Sequence, residues 1–129
     1  MQMKTAAVIV AVPKHELFSY VANIENVPKW ATEFCRELKT VNGETKVVTE
    51  GGELFFRIQA DEETGVIDFL AGPSAEQLAT FPTRVVGLPT GTSAYLFTLF
   101  RAPEMSDEEF EQAYRSLLIE LETLKQNLS

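Results

Sequence analysis

The chain has 129 residues, 45% hydrophobic and 23% charged, the balance of one folded soluble domain spanning residues 1–129. One cysteine and one histidine exclude an internal disulfide framework and argue against a Cys- or His-built metal site, so neither metal nor cofactor is expected. Eleven basic against 19 acidic residues, a formal charge of −8, argue against nucleic acid or an anionic membrane surface as a partner.

The first run, Met3 to Val12, reads as a strand through its Val8-Ile9-Val10 centre. Its apolar part is too short to span a membrane, and it leads into Val12-Pro13-Lys14-His15 without a small-residue cleavage site. The expected location is cytoplasmic, with Cys35 a reduced, buried thiol. Pro13 suits the first turn of a short helix with Leu17, Tyr20, Val21 and Ile24 on its apolar face. Asn26 and Pro28 open a second, in which Val27, Trp30, Ala31 and Phe34 follow helical spacing.

Six more strands follow. Arg36 to Val41 and Thr45 to Glu50 are separated by the turn Asn42-Gly43, and Gly51-Gly52 turns into the next run. There Leu54, Phe56, Ile58 and Ala60 alternate with Glu53, Phe55, Arg57 and Gln59. Val66 to Leu70 is closed by Gly72-Pro73. Glu76 to Val86 contains Pro82, which points to an edge, a bulge or a break. Thr92 to Arg101 is the last strand. Short loops between these runs imply antiparallel hairpins.

The strongest local signal is the C-terminal helix, predicted over about 107–127 and roughly 30 Å long. Ser106 and Glu109 form a capping box, flanked by the staple pair Met105 and Phe110. Its apolar stripe is assigned to Phe110, Ala113, Tyr114, Leu117, Leu118, Leu121, Leu124 and Leu128. The acidic residues from Glu104 to Glu122 read as its solvated face.

These elements make an α+β domain, a curved seven-stranded antiparallel sheet around a long C-terminal helix, with two short helices after the first strand. A straight helix against a curved sheet leaves room for a small-molecule cavity. The stretch from Val12 to Ala31, including Phe18-Ser-Tyr-Val and Asn26-Val-Pro-Lys-Trp, resembles the START-like, polyketide cyclase/dehydrase (SRPBCC) superfamily. So do Phe81-Pro-Thr-Arg-Val-Val, the run from Gly91 to Leu99, and Met105-Ser-Asp-Glu-Glu-Phe. The resemblance implies a helix-grip fold with a deep hydrophobic cavity. It also implies binding of lipids, polyketides or other apolar molecules, and in some members cyclase, dehydrase or hydrolase activity.

The candidate ligand-binding residues are Trp30, Phe34, Phe56, Ile58, Phe69 and Phe81, with Tyr114, Leu118 and Leu121 from the helix. Core packing is the competing reading for each. Both faces of the last strand are apolar, so its period does not fix its register. The resemblance favours Ala94, Leu96, Thr98 and Phe100 inside, adding Leu96 and Thr98 to the candidates. Tyr95, Phe97 and Leu99 then form an outward patch, read as a homodimer contact. Alternation turns Arg57, Asp68 and Arg84 outward, and a one-residue slip would bring them in. No catalytic residue is assigned. Three functions stay open: binding of a small hydrophobic molecule, a cyclase/dehydrase-type enzyme, and a protein-interaction module with a collapsed cavity.

Overall fold

A computed structural model describes residues 2–129. The strands are β1 (Met3–Val10), β2 (Glu37–Val41), β3 (Glu44–Thr49), β4 (Gly52–Asp61), β5 (Val66–Ser74), β6 (Gln77–Gly87) and β7 (Ser93–Phe100). The helices are α1 (Lys14–Ala22), α2 (Val27–Trp30) and α3 (Asp107–Asn127), with a 3₁₀ turn at Ile24–Asn26. All strand pairs are antiparallel, in the order β1-β7-β6-β5-β4-β3-β2. β1 and β2 therefore lie at opposite edges, and α1 and α2 connect them. No helix among the described residues is long and apolar enough to cross a membrane.

The α3 start is built as the residue pattern requires. Ser106 Oγ accepts the Glu109 N–H at 3.1 Å, and Glu109 accepts the Ser106 N–H at 2.8 Å. Arg101 donates to the Met105 carbonyl at 2.9 Å and pairs with Asp107 at 2.6 Å, fixing how the chain turns from β7 into the helix. α3 packs chiefly against β1 and α2. It leaves space over β4, β5 and β6.

The concave face is continuous across the sheet. Ala6 of β1 lies beside Phe97 of β7, which lies beside Thr83 of β6, which lies beside Ile67 of β5. Next to that row, Val8, Tyr95 and Val85 align in the same way. Tyr95, Val85 and Ile67 are essentially inaccessible. The inward face of β7 is thus Tyr95, Phe97 and Leu99, opposite to the expectation. β1 and β6 bracket β7 with their own apolar faces turned inward, and that pairing sets the register where the strand's own pattern cannot. Leu96 and Thr98 lie on the convex side, where the Thr98 hydroxyl bonds that of Thr5 at 2.8 Å. The homodimer patch read from Tyr95, Phe97 and Leu99 is consequently not an outer surface.

Four further expectations are corrected. β5 runs through Gly72-Pro73 to Ser74, with a register shift between Ala71 and Ser74. A Cβ on Gly72 would stand 1.8 Å from the Gln77 carbonyl oxygen, so glycine allows the hairpin arms to close there. α2 is a single turn, and Phe34 lies beyond it. The Asn26 side chain does not cap α2; it donates to the Tyr20 carbonyl at 3.0 Å. Leu118 is 44% exposed, one helical step past the buried Leu117, and lies outside the stripe.

Pro82 sits inside β6 at an informative point. β6 pairs with β7 only from Thr83 to Gly87. From Gln77 to Pro82 it pairs with β5 alone, and β7 from Thr98 to Phe100 pairs with β1 alone. The two strands diverge, and the proline occupies a local edge where β6 has lost a neighbour.

Candidate functional site

A half-open cavity of about 330 Å³ lies between the concave face and α3. Its floor is formed by buried side chains: Val27, Trp30 and Ala31 from the α2 segment, Phe56 and Phe69 from β4 and β5, and Leu117 from α3. Its rim is half-buried. Phe34 stands on one side, Phe81 and Leu99 on the diverging strands, and Ala113 and Ser116 on α3.

The aromatic rings form one connected wall. Phe34 and Phe56 have centroids 6.1 Å apart, Phe56 and Phe69 stack at 5.7 Å, and Phe69 and Phe97 stack at 6.1 Å. Phe97 continues to Phe81 at 6.5 Å. Trp30 lies 6.3 Å from Phe69 and meets Tyr95 edge to face at 5.9 Å. Each contact of this kind adds roughly 0.5–1.5 kcal/mol beyond the area buried.

Of the candidate residues, Trp30, Phe34, Phe56, Phe69 and Phe81 line the cavity. Ile58, Tyr114 and Leu121 pack with the core but outside the lining. Lys4 rests its ammonium 4.7 Å from the Tyr114 ring centre. Leu96, Thr98 and Leu118 are on outer surfaces. Phe97 and Leu99 take the place that Leu96 and Thr98 were expected to hold.

The residue that sequence reasoning missed is Glu120. It is only 7% exposed and lines the cavity. Its Oε2 accepts the backbone N–H groups of Glu33 at 3.1 Å and Phe34 at 2.9 Å. Oε1 has no partner among the described residues, yet it is not sealed from the surrounding space. Burial pushes the carboxyl up to about 7, against the pull of the two amides; the Glu33 charge adds to the rise. The signal was available: Ala113, Ser116, Leu117 and Glu120 share one helical stripe by their three- and four-residue spacing.

Two polar atoms are fully buried without partners among the described residues, Trp30 Nε1 and the Tyr95 hydroxyl. The neighbouring Thr83 hydroxyl donates to the Ile67 carbonyl at 2.7 Å, which leaves its oxygen as the nearest acceptor the Tyr95 phenol could reach. Burial pushes the Tyr95 phenol far up, so it stays protonated. Cys35 is pushed up to about 11, first by burial and then by the charges of Glu120 and Glu37, so at neutral pH it is a thiol.

The charges of the middle strands lie on the convex side. Arg57 pairs with Glu44 at 2.7 Å, and Arg84 donates to the Thr64 carbonyl at 3.3 Å. Asp68 lies on the face opposite Ile67 and Phe69. The ionisable lining residues are Glu33 and Glu120, both acidic; no Lys, Arg or His lines the cavity among the described residues.

No protein-family model matches the sequence, and no curated protein matches it significantly. Solved structures match over nearly the whole chain. The protein XoxI from Bacillus cereus superposes with a TM-score of 0.76 at 14% identity, covering 99% of this chain and 96% of that one. The Zhui aromatase/cyclase from Streptomyces sp. R1128 gives 0.71 at 14% identity, covering 98% and 93%. A START superfamily protein from Mycobacterium smegmatis gives 0.67 at 15% identity, covering 98% and 96%. At such identities the likeness is one of fold.

Proposed function

The chain has the START-like helix-grip fold, and from it we propose that the protein binds a small, largely apolar molecule between the sheet and α3. The observation that carries this reading is the connected aromatic wall around a half-open cavity of about 330 Å³. That volume lies at the low end of the roughly 300–1,000 Å³ common for small-molecule sites. Binding draws on apolar burial at roughly 25 cal/mol per Å². The rim supplies few polar groups, so shape and one carboxyl set the orientation.

A cyclase/dehydrase-type enzyme is the second reading, and Glu120 favours it as a buried carboxyl at the cavity wall. Asp68 and Arg84 do not support it, since they face away from the cavity. The interaction-module reading loses its working surface, because Tyr95, Phe97 and Leu99 point inward.

Titration of the isotopically labelled protein with naphthylethanol, followed by amide NMR, tests the binding reading. Shifts concentrated at Phe34, Phe81, Leu99 and Ser116 are expected. Shifts confined to the convex face, or none at saturation, would overturn it.

A further inference from the structure

The cavity is one-sided in charge as well as apolar. Its ionisable lining residues are Glu33 and Glu120, with no cation to oppose them among the described residues. The protein as a whole carries a formal charge of −8. A carboxylate, phosphate or sulfate on a ligand would meet this field without a partner, at a cost that burial enlarges. A cation would meet the reverse situation.

The carboxyl is also set for such a partner. Glu120 is more than nine-tenths buried, with Oε2 held by two backbone N–H groups and Oε1 unpartnered. The Glu33 and Phe34 amides fix the orientation of the group and leave one oxygen free. The rings of Phe34, Phe56, Phe69 and Trp30 line the same cavity, and aromatic faces attract positive charge.

Resting on the binding reading above, we propose that the cavity selects aromatic amines. The ring system lies against the aromatic wall, and the ammonium donates to Glu120 Oε1. Neutral molecules of the same shape bind more weakly, and acids of that shape more weakly still. A purely structural role, holding α3 to the segment after α2, uses Oε2 and the two amides. It gives no reason for a preference among ligands.

The test is calorimetric titration, at mildly alkaline pH, with naphthylethylamine, naphthylethanol and naphthylacetate, three probes that share one ring system and differ in charge. The wild type is expected to bind the amine about tenfold or more tighter than the alcohol, and the alcohol tighter than the acid. Glu120→Gln keeps an acceptor for the two backbone amides and removes the charge, so the amine-to-alcohol ratio is expected to collapse towards one. Glu122→Gln, an exposed acid of α3 outside the lining, is expected to retain the preference. Alcohol binding with no amine preference in the wild type would overturn the proposal and leave the cavity reading standing. Retention of the preference in Glu120→Gln, or its loss in Glu122→Gln, would overturn the assignment to Glu120. No binding of any of the three would overturn both readings.

Discussion

Glu120 accepts the backbone N–H of Phe34 at 2.9 Å, tying the middle of α3 to the segment that forms one side of the cavity mouth. The bond joins residues far apart in sequence and places the only deeply buried carboxylate of the described chain on the cavity wall. Its consequences for stability are measurable without knowing any ligand.

The Glu120 carboxyl is pushed up from the usual 4.5 to about 7, so the folded protein holds this proton more tightly than the unfolded chain does. Its contribution is therefore fully present below the unfolded value and is lost as pH rises through about 7. Denaturant unfolding should show the wild type gaining roughly 3 kcal/mol relative to Glu120→Gln between about pH 8 and pH 4. A difference between the two proteins that stays flat with pH would contradict the burial of this carboxyl.

Tyr95 buries a hydroxyl with no hydrogen-bond partner among the described residues. Tyr95→Phe removes that group and keeps the edge-to-face contact with Trp30. The variant should be as stable as the wild type or more stable, by up to about 1 kcal/mol. A loss well beyond that in equilibrium unfolding would mean that the hydroxyl is bonded.

The face of β7 can be read by paired substitutions. Phe97→Ala removes a ring stacked on Phe69 and should cost about 2–4 kcal/mol. Phe100→Ala, on the convex side at 41% exposure, should cost less than about 1 kcal/mol. The reverse ranking would turn the strand over.

Gly65 and Gly91 both have positive φ, at 82° and 77°. A Cβ on Gly91 meets open space, whereas one on Gly65 would stand 2.1 Å from the Val85 carbonyl oxygen. The Gly65 carbonyl also accepts the Val85 N–H at 2.8 Å, so the turn and β6 cannot easily separate. Gly91→Ala should cost about 1–2 kcal/mol through its backbone angle alone, and Gly65→Ala clearly more. Equal costs would show that the close approach relaxes freely.

Much of the fold was legible because local signals agreed. The α3 boundaries were marked by the Ser106–Glu109 box and a long one-sided stripe, and the strand count followed from turn residues and alternation. What was not legible depended on neighbours. β7 is apolar on both faces, and only pairing with β1 and β6 decides which face is concave. β5 passes a Gly-Pro pair that usually ends a strand, because the hairpin arm beside it needs the missing Cβ. Phe34 has helical spacing from Trp30 but lies past the end of α2. Glu120 was hidden in a run of acids that mostly face water. Its place beside Leu117 on the stripe marked it, yet the backbone amides that make its burial tolerable belong to a segment distant in sequence.

The most direct measurement is calorimetric titration of naphthylethanol into the wild type and into Ala113→Phe, whose added ring projects into the cavity from α3. The wild type should bind one molecule with a negative heat-capacity change, the mark of apolar burial, and the folded variant should bind none. No binding by the wild type, or equal affinity in both proteins, would contradict a ligand cavity between the sheet and α3.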